Sequence, residues 1–433
     1  MVDRRPAVIT QPMSADDVAA AVRFARDSDL EISVRCGGHS VVGHGVADGG
    51  LMIDLSRMRA VRVDPEGRRA WVQGGAELGD LDRATQQFGL ATTAGNVSHT
   101  GVGGLTLGGG MGWLARECGL ACDNVEAFEL VTADGERLRA TNAQNADLFW
   151  GLRGGGGNFG VVTEFEFRLH QVGMQALIAD FVFDADDGHA IMRGWRELLH
   201  DAPRLATPTA WVGTSREWAF LGPEYWNRPV VIVGYVWVGD PEEGERLVPQ
   251  FRSLGHPIGE SVTRMSYLDL QTSEDVRQRQ PMRRYWKGHY LNELGDAAIT
   301  AYLSRGASDG NGRRSELPAG GFQAYGGAIA EVGPMDTAFS HRDALVEFVT
   351  VAHWSDPAED EAQIVGPRAF ASAIEPFACG VYVNDLADEG ESGVRRAYRS
   401  SSLERLEVLK AKYDPDNVFH LNHNIRPRVT AAK

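Results

Sequence analysis

Arg35-Cys36-Gly37-Gly38-His39-Ser40 is the stretch on which the reading of this chain turns. The apolar run Ile32-Ser33-Val34 leads into it, and Gly43-His44-Gly45 follows. Glycines in such a turn allow positive φ and a close approach of backbone to ligand. Successive free N–H groups there form a concave anion site suited to a pyrophosphate. A histidine inside the turn is held within reach of whatever the phosphates anchor. The combination points to a nucleotide cofactor beside a nucleophilic side chain. It therefore points to an enzyme whose cofactor can be bonded to the chain.

The surrounding residues alternate helix and strand. Ser14 is a good N-cap for a helix through about Asp27, with Val18, Val22 and Ala25 as its buried stripe. Ile32 to Arg35 and Leu51 to Leu55 read as strands. Val61-Arg62-Val63 and Ala70-Trp71-Val72 flank Pro65-Glu66-Gly67, a hairpin signal. Glu77 to Phe88 reads as a helix closed by Gly89 at C′. This order is an α/β or α+β pattern. Val161 to Phe167, mostly apolar at odd positions and charged at 164 and 166, predicts a half-buried strand. Beyond about His170 glycine thins, and Trp195, Trp211, Trp218, Tyr225, Trp226, Tyr235 and Trp237 gather. Val230 to Val238 and Phe322 to Glu331 read as strands. Ala297 to Leu303 and His341 to Phe348 are short pieces of either helix or strand. Leu403 to Tyr413 reads as a helix ended by the turn Asp414-Pro415-Asp416-Asn417.

A length of 433 residues suggests about two or three domains. The net charge of −16, from 43 basic and 59 acidic residues, argues against a nucleic-acid or anionic-membrane surface. The first residues carry no apolar leader, and no apolar run approaches the roughly 18 residues of a membrane span. Cys36, Cys118, Cys122 and Cys379 lack metal spacing and do not form a disulfide framework. The expectation is a cytoplasmic protein with free thiols and no metal, and the sequence leaves its oligomeric state open.

Two further glycine-rich runs follow: Gly101-Val-Gly-Gly-Leu-Thr-Leu-Gly-Gly-Gly-Met-Gly-Trp113 and Arg153-Gly-Gly-Gly-Gly-Asn-Phe-Gly160. A nicotinamide-binding fingerprint fits the first of them poorly. Thr106 stands where the third small residue belongs, and no acidic residue ends a strand about 20 positions on. A tight packing turn would explain one glycine pair, but not three runs within about 125 residues.

Taken in order, these three runs resemble the FAD-linked oxidases of the berberine-bridge-enzyme-like and vanillyl-alcohol-oxidase family. Tyr382-Val383-Asn384 resembles that family's Tyr-x-Asn element. Tyr413-Asp-Pro-Asp-Asn-Val-Phe419 with Asn422-His-Asn-Ile425 resembles its C-terminal signature. The likeness spans residues 5–170 and the last fifty. It is weak over the aromatic middle.

The resemblance implies an α+β, two-domain, PCMH-type FAD-binding fold. An FAD domain would occupy 1–172, and the segment 385–433 would return to it. A substrate domain of antiparallel sheet covered by helices would occupy 173–384. The cofactor-binding residues it implies begin with Arg35, Cys36, Gly37, Gly38, His39, Ser40 and Gly43. The second run adds Val97, Thr100, Gly101, Gly103, Gly104, Leu107, Gly108, Gly110, Gly112 and Trp113. Gly160, Val162, Asn384, Asn422 and Asn424 complete the set.

His39 would bond to the 8-methyl carbon of the flavin, for which a neutral imidazole is a competent nucleophile once the ring is fixed nearby. Val97 falls where some relatives place a second, cysteinyl bond. His99 is no thioether, so a single tether is expected. Thr100 falls on the position that influences oxygen access. Tyr382 would be the base, its phenol lowered from about 10 by a cation or donor. Lys287 and His289 are the candidate cations.

The implied activity is hydride transfer from an alcohol, amine or C–H carbon to FAD, with O2 as acceptor. The substrate would be a small molecule, a secondary metabolite or sugar-like alcohol. A dehydrogenase using another acceptor and a flavin- or ligand-binding protein without turnover remain the alternatives.

Overall fold

A computed structural model describes residues 2–275, 282–306, 317–387 and 389–428. Ser14 caps the first helix, Ala15–Asp27, by accepting the Asp17 N–H at 3.2 Å. Val18, Val22 and Ala25 are buried on that helix. They pack in one cluster with Ile32, Leu51 and Ile53 from the parallel three-stranded sheet Val8–Thr10, Leu51–Asp54 and Ile32–Arg35, in that spatial order. Leu55 leaves the strand and opens a short 3-10 turn. The predicted hairpin is present as Val61–Asp64 against Arg69–Gln73. It forms one edge of a five-stranded antiparallel sheet that continues through Val161–Arg168, Val125–Val131 and Arg137–Ala140.

Val161–Arg168 differs from the half-buried strand expected of it. It lies between two neighbours, and Glu166 is buried as well. Arg69 and Arg139 each donate to Glu166, at 2.9 and 2.7 Å, which makes its burial tolerable.

A seven-stranded antiparallel sheet holds the aromatic middle. Its order is Gly259–Ser266, Gln175–Asp184, Pro229–Val238, Ala206–Thr214, Ala319–Ala324, Val346–Trp354 and Arg283–Leu291. One face carries Phe181, Phe322 and Phe348, covered by Trp195, Tyr302 and Phe370 of helices Gly188–Asp201, Asp296–Ser304 and Asp360–Ile374. Alternation then puts Gln323 and Glu347, paired across the strands, on the other face. Helices plus antiparallel sheets make an α+β fold.

Two short readings are corrected and one left open is resolved. Phe322 to Glu331 is not one strand. The strand stops at Ala324, Gly326 and Gly327 take φ of 82° and 54°, and Ala328–Glu331 is helical. Ala297 to Leu303 lies inside a helix. His341 to Phe348 is mostly loop, turned by the positive φ of His341, and its strand starts at Val346.

The C-terminal helix, Ser400–Tyr413, ends on a buried ion pair. Lys410 Nζ donates to Asp414 Oδ2 at 2.6 Å and to the carbonyls of Asn158 and Phe419. Asp414 in turn accepts the Val418 and Phe419 N–H groups. Neither charged side chain is exposed to solvent. This knot ties residues 414–425 to the third glycine run. Among the described residues, no helix is long and apolar enough to cross a membrane.

Candidate active site

A cavity of about 440 Å³ opens where the glycine runs, the C-terminal segment and the seven-stranded sheet meet. That is within the ordinary range for a ligand site. Its wall contains Arg35, Cys36, Gly37, Gly38, His39 and Ser40 from the first run. Val97, Thr100, Gly101, Gly103, Gly104 and Leu107 come from the second, and Gly160 and Val162 from the third. Tyr382, Asn384 and Asn422 complete this group. The sequence places these residues far apart, and the fold brings them to one surface.

The glycines of the three runs do two jobs. A Cβ on Gly37 would strike the Gly101 backbone, and one on Gly101 would strike the Cys36 thiol. The first two runs therefore lie back to back, closer than any side chain permits. By contrast, Gly104 and Gly157 have open space where a Cβ would stand, and both face the cavity. They leave room for a ligand to meet backbone.

Gly43, Gly108, Gly110, Gly112, Trp113 and Asn424 are not in the wall. The Gly43 carbonyl accepts from Arg4, and the turn is backed by Val2. Gly108 is pressed against the Asn384 side chain, and Gly112 against the Ala94 carbonyl. Gly110 donates its N–H to Tyr382 Oη at 2.8 Å. Trp113 packs with Leu114 and Tyr267, its carbonyl accepting from Thr207. Asn424 Oδ1 is buried without a partner among the described residues, beside the wall residue His423. Most of these residues support the lining from behind.

His39 sits in the wall with Nε2 at 2.7 Å from His99 Nδ1, while its Nδ1 is 3.4 Å from Thr100 Oγ1. Burial first, then the neighbouring His99 and Arg284, lower its pKa to about 4, so the imidazole is neutral at pH 7. His44 and His423, stacked edge to face, are likewise lowered by burial, to about 4 and about 3. Unfolded histidines titrate near 6.5. Between that value and about 4 the unfolded chain therefore binds more protons than the folded one. Five histidines lowered by burial (His39, His44, His170, His289 and His423) outnumber the raised carboxyls of Asp82, Asp385 and Glu347, which act in the opposite sense, so stability is expected to fall as pH drops from 6.5 towards 4. Thermal midpoints measured from pH 8 to pH 4.5 check this. A midpoint unchanged between pH 7 and 5 would contradict it.

Tyr382 is buried, and its Oη accepts two hydrogen bonds, from Gly110 N–H and from Asn384 Nδ2 at 2.9 Å. Burial pushes the phenol well up. The Gly110 and Asn384 donors oppose that, and the carboxyls of Glu347 and Asp385 reinforce it. The cationic neighbour expected at Tyr382 is not supplied by Lys287 or His289. Lys287 pairs with Glu389 at 2.9 Å. His289 accepts from Arg396, and burial holds its pKa at about 4.

Sequence reasoning missed the carboxyl pair. Asp385, directly after Asn384, is in the wall and adjoins Glu347. Glu347 also accepts from Tyr325 Oη, which meets Tyr290 Oη at 3.1 Å. Burial raises both carboxyls, Asp385 to about 7, so the pair keeps a proton near neutrality. His44, Trp286, Asn158, Phe419, Leu421 and His423 were also missed. His423 had a signal, since it lies between two asparagines of the C-terminal signature. Trp286 had none, because its strand brings it to the cavity only in the tertiary fold.

The wall fits a flavin dinucleotide. Among the described residues Asp385 is its one acidic member, far along the chain from the glycine runs, and open glycine positions offer backbone to a diphosphate. Trp286 Nε1 and Asn422 Oδ1, both of wall residues, are buried and lack partners among the described residues, ready for a polar ligand.

The comparisons agree. The family described as "FAD binding domain" matches residues 6–141, and "Berberine and berberine like" matches 381–426. The (R)-6-hydroxynicotine oxidase of Paenarthrobacter nicotinovorans is 30% identical over 98% of this chain and 92% of its own. The glucooligosaccharide oxidase of Sarocladium strictum is 30% identical over 96% and 87%. The crystal structure of 6-hydroxy-D-nicotine oxidase from Arthrobacter nicotinovorans superposes with a TM-score of 0.85 at 29% identity, covering 99% of this chain and 93% of that one. That of glucooligosaccharide oxidase from Acremonium strictum gives 0.84 at 25% identity, covering 99% and 93%. Over nearly its whole length, then, the chain belongs to the FAD-linked oxidoreductases of the berberine-bridge-enzyme-like family.

Proposed function

We propose that this chain is an oxidase that holds FAD through a single bond from His39 and oxidises a small alcohol or amine. The observation that carries the reading is the neutral His39 in the wall of a glycine-backed cavity, with the apolar Val97 in the same wall. A related structure, the glucooligosaccharide oxidase, is described with a 6-S-cysteinyl, 8α-N1-histidyl FAD. Val97 offers no thiol for the first of those bonds. Bound FAD would take a hydride from the substrate carbon and pass the electrons to O2. The relatives act on 6-hydroxynicotine and on glucooligosaccharides, which bracket a secondary metabolite and a sugar-like alcohol.

The residues' own work is to anchor, orient and move one proton. Gly104 and Gly157 let the cofactor meet backbone, and Asn384 orients the Tyr382 phenol. Tyr382 is the first candidate to receive the substrate proton. Asp385 is the second, favoured by a specific observation: it faces the cavity and ionises near 7, where a general base works best, whereas burial disfavours the Tyr382 phenolate. Tyr382 would then act as a hydrogen-bonding guide for the substrate.

The reading is tested by anaerobic mixing with a panel of sugars, alcohols and amines, followed by O2. Bleaching of the yellow flavin and rapid return of colour are expected. Failure of every substrate to bleach it leaves a binding protein, and bleaching without return in O2 leaves a dehydrogenase. With the fastest substrate, Tyr382→Phe is expected to slow bleaching by about 10²–10⁴-fold. The wild-type rate should rise with pH through about 7, because Asp385 must lose its proton to accept another. Asp385→Asn should flatten that rise. A rise that survives in Asp385→Asn returns the role of base to Tyr382.

A further inference from the structure

Two ring nitrogens 2.7 Å apart must share one proton, so His39 and His99 fix one another's tautomers. If His39 Nε2 carries the hydrogen and donates it to His99 Nδ1, then His39 Nδ1 keeps a free lone pair. Its other neighbour, Thr100 Oγ1, is at the limit of a hydrogen bond and leaves that lone pair lightly held. In the opposite arrangement both His39 nitrogens are engaged and neither can act as a nucleophile. His99 Nε2 is buried without a partner among the described residues. The preceding residue, Ser98, is clamped by Asp275, whose carboxylate accepts the Ser98 N–H at 2.9 Å and the Ser98 hydroxyl at 2.6 Å. A carboxylate is thereby fixed close to the two rings, where it also acts on His39 electrostatically.

We propose that His99 is the base that enables His39 to attach the flavin, with Asp275 as the fixed counter-charge. The inference rests on the His39 tether proposed above. In the step, His39 Nδ1 forms a bond to the flavin 8-methyl carbon, which loses one hydrogen as a proton to solvent. The His39 Nε2 proton moves to His99, so the tethered imidazole stays neutral. The ring system gains two electrons, and dioxygen then removes them with two protons as hydrogen peroxide. Without a base at His99, the alkylated His39 would become an imidazolium in a site where burial and Arg284 both disfavour that charge. His99 is thus a positioning and proton-accepting residue for cofactor attachment. Its side chain serves this role before any substrate arrives.

The test uses the full-length chain purified without flavin and incubated with FAD in air. Flavin that stays in the acid-precipitated pellet is followed with time and normalised to total flavin bound. His99→Ala is expected to attach FAD about 100-fold more slowly than wild type. Its rate should climb with pH, and added imidazole should restore it. His99→Asn, which can accept the His39 hydrogen bond but not its proton, should remain slow. His39→Ala should attach none, with or without imidazole. Attachment by His99→Ala at the wild-type rate overturns the role of His99 while leaving the tether intact. A slow His99→Ala that imidazole does not rescue reduces His99 to a structural part, which also overturns the proposal. A wild-type protein that releases all its flavin to the supernatant overturns the tether itself, and this inference with it.

Discussion

His39→Ala is expected to turn a protein whose yellow colour stays in the acid pellet into one that releases all of it. The change would be all-or-none because the proposed tether has one nitrogen to use. Val97 stands in the same wall without a nucleophile, and Cys36, also in the wall, is turned away: its thiol donates to the Ala76 carbonyl, and burial raises it to about 11. A thiol held that high is not the thiolate that bonds carbon at neutral pH. Cys118, Cys122 and Cys379 lie outside the wall, and burial raises each of them as well. The His39→Ala chain should still fold, since the backbone of the turn is set by its glycines and by the Gly43 N–H to Ser40 carbonyl bond. Its FAD would be held by non-covalent contacts alone and should wash out on extensive dialysis. Absorbance of pellet and supernatant after acid treatment checks both statements. Colour retained in the His39→Ala pellet would mean that another residue forms the bond.

Lys410→Met is expected to be the most destabilising single change, by about 3–5 kcal/mol, because it leaves the buried Asp414 carboxylate without its cation. Both side chains of the pair are withdrawn from solvent, and Lys410 also donates to two carbonyls that would be left unpaired. The loss should reach the site. The Asn158 and Phe419 carbonyls bonded by Lys410 belong to the third glycine run and the C-terminal segment, and both residues line the cavity. A urea unfolding midpoint lowered relative to wild type, together with weaker FAD retention, is the expected result. The double change Lys410→Met with Asp414→Leu should recover part of the stability, since it removes both charges. A Lys410→Met protein as stable as wild type would show that Asp414 finds another partner or takes up a proton.

The legible part of this protein was local. Ser14 announced its helix because a side-chain oxygen bonds the Asp17 N–H three residues on, and no distant residue is involved. The hairpin around Pro65-Glu66-Gly67 was equally local. Wherever a distant neighbour decided the outcome, the reading slipped. Glu166 looked like an outward-facing charge until Arg69 arrived from the adjacent strand and Arg139 from the strand beyond the other neighbour. Lys287 looked available to Tyr382, whereas Glu389, about a hundred residues away, holds it.

The site divides in the same way. The order of the three glycine runs, the Tyr-x-Asn element and the C-terminal signature determined a flavin enzyme and marked His39, because backbone that must meet a dinucleotide tolerates few residues besides glycine. Which glycines meet the ligand and which only let two loops touch was decided by tertiary contacts. Gly37 and Gly104 are identical in the sequence, yet one is blocked by Gly101 and the other is open. The pairing of His39 with His99, and of Asp385 with Glu347, was likewise decided only when the chain folded. Proton-sharing depends on separations of about 3 Å in space, and spacing along a chain does not encode those across sixty or forty residues.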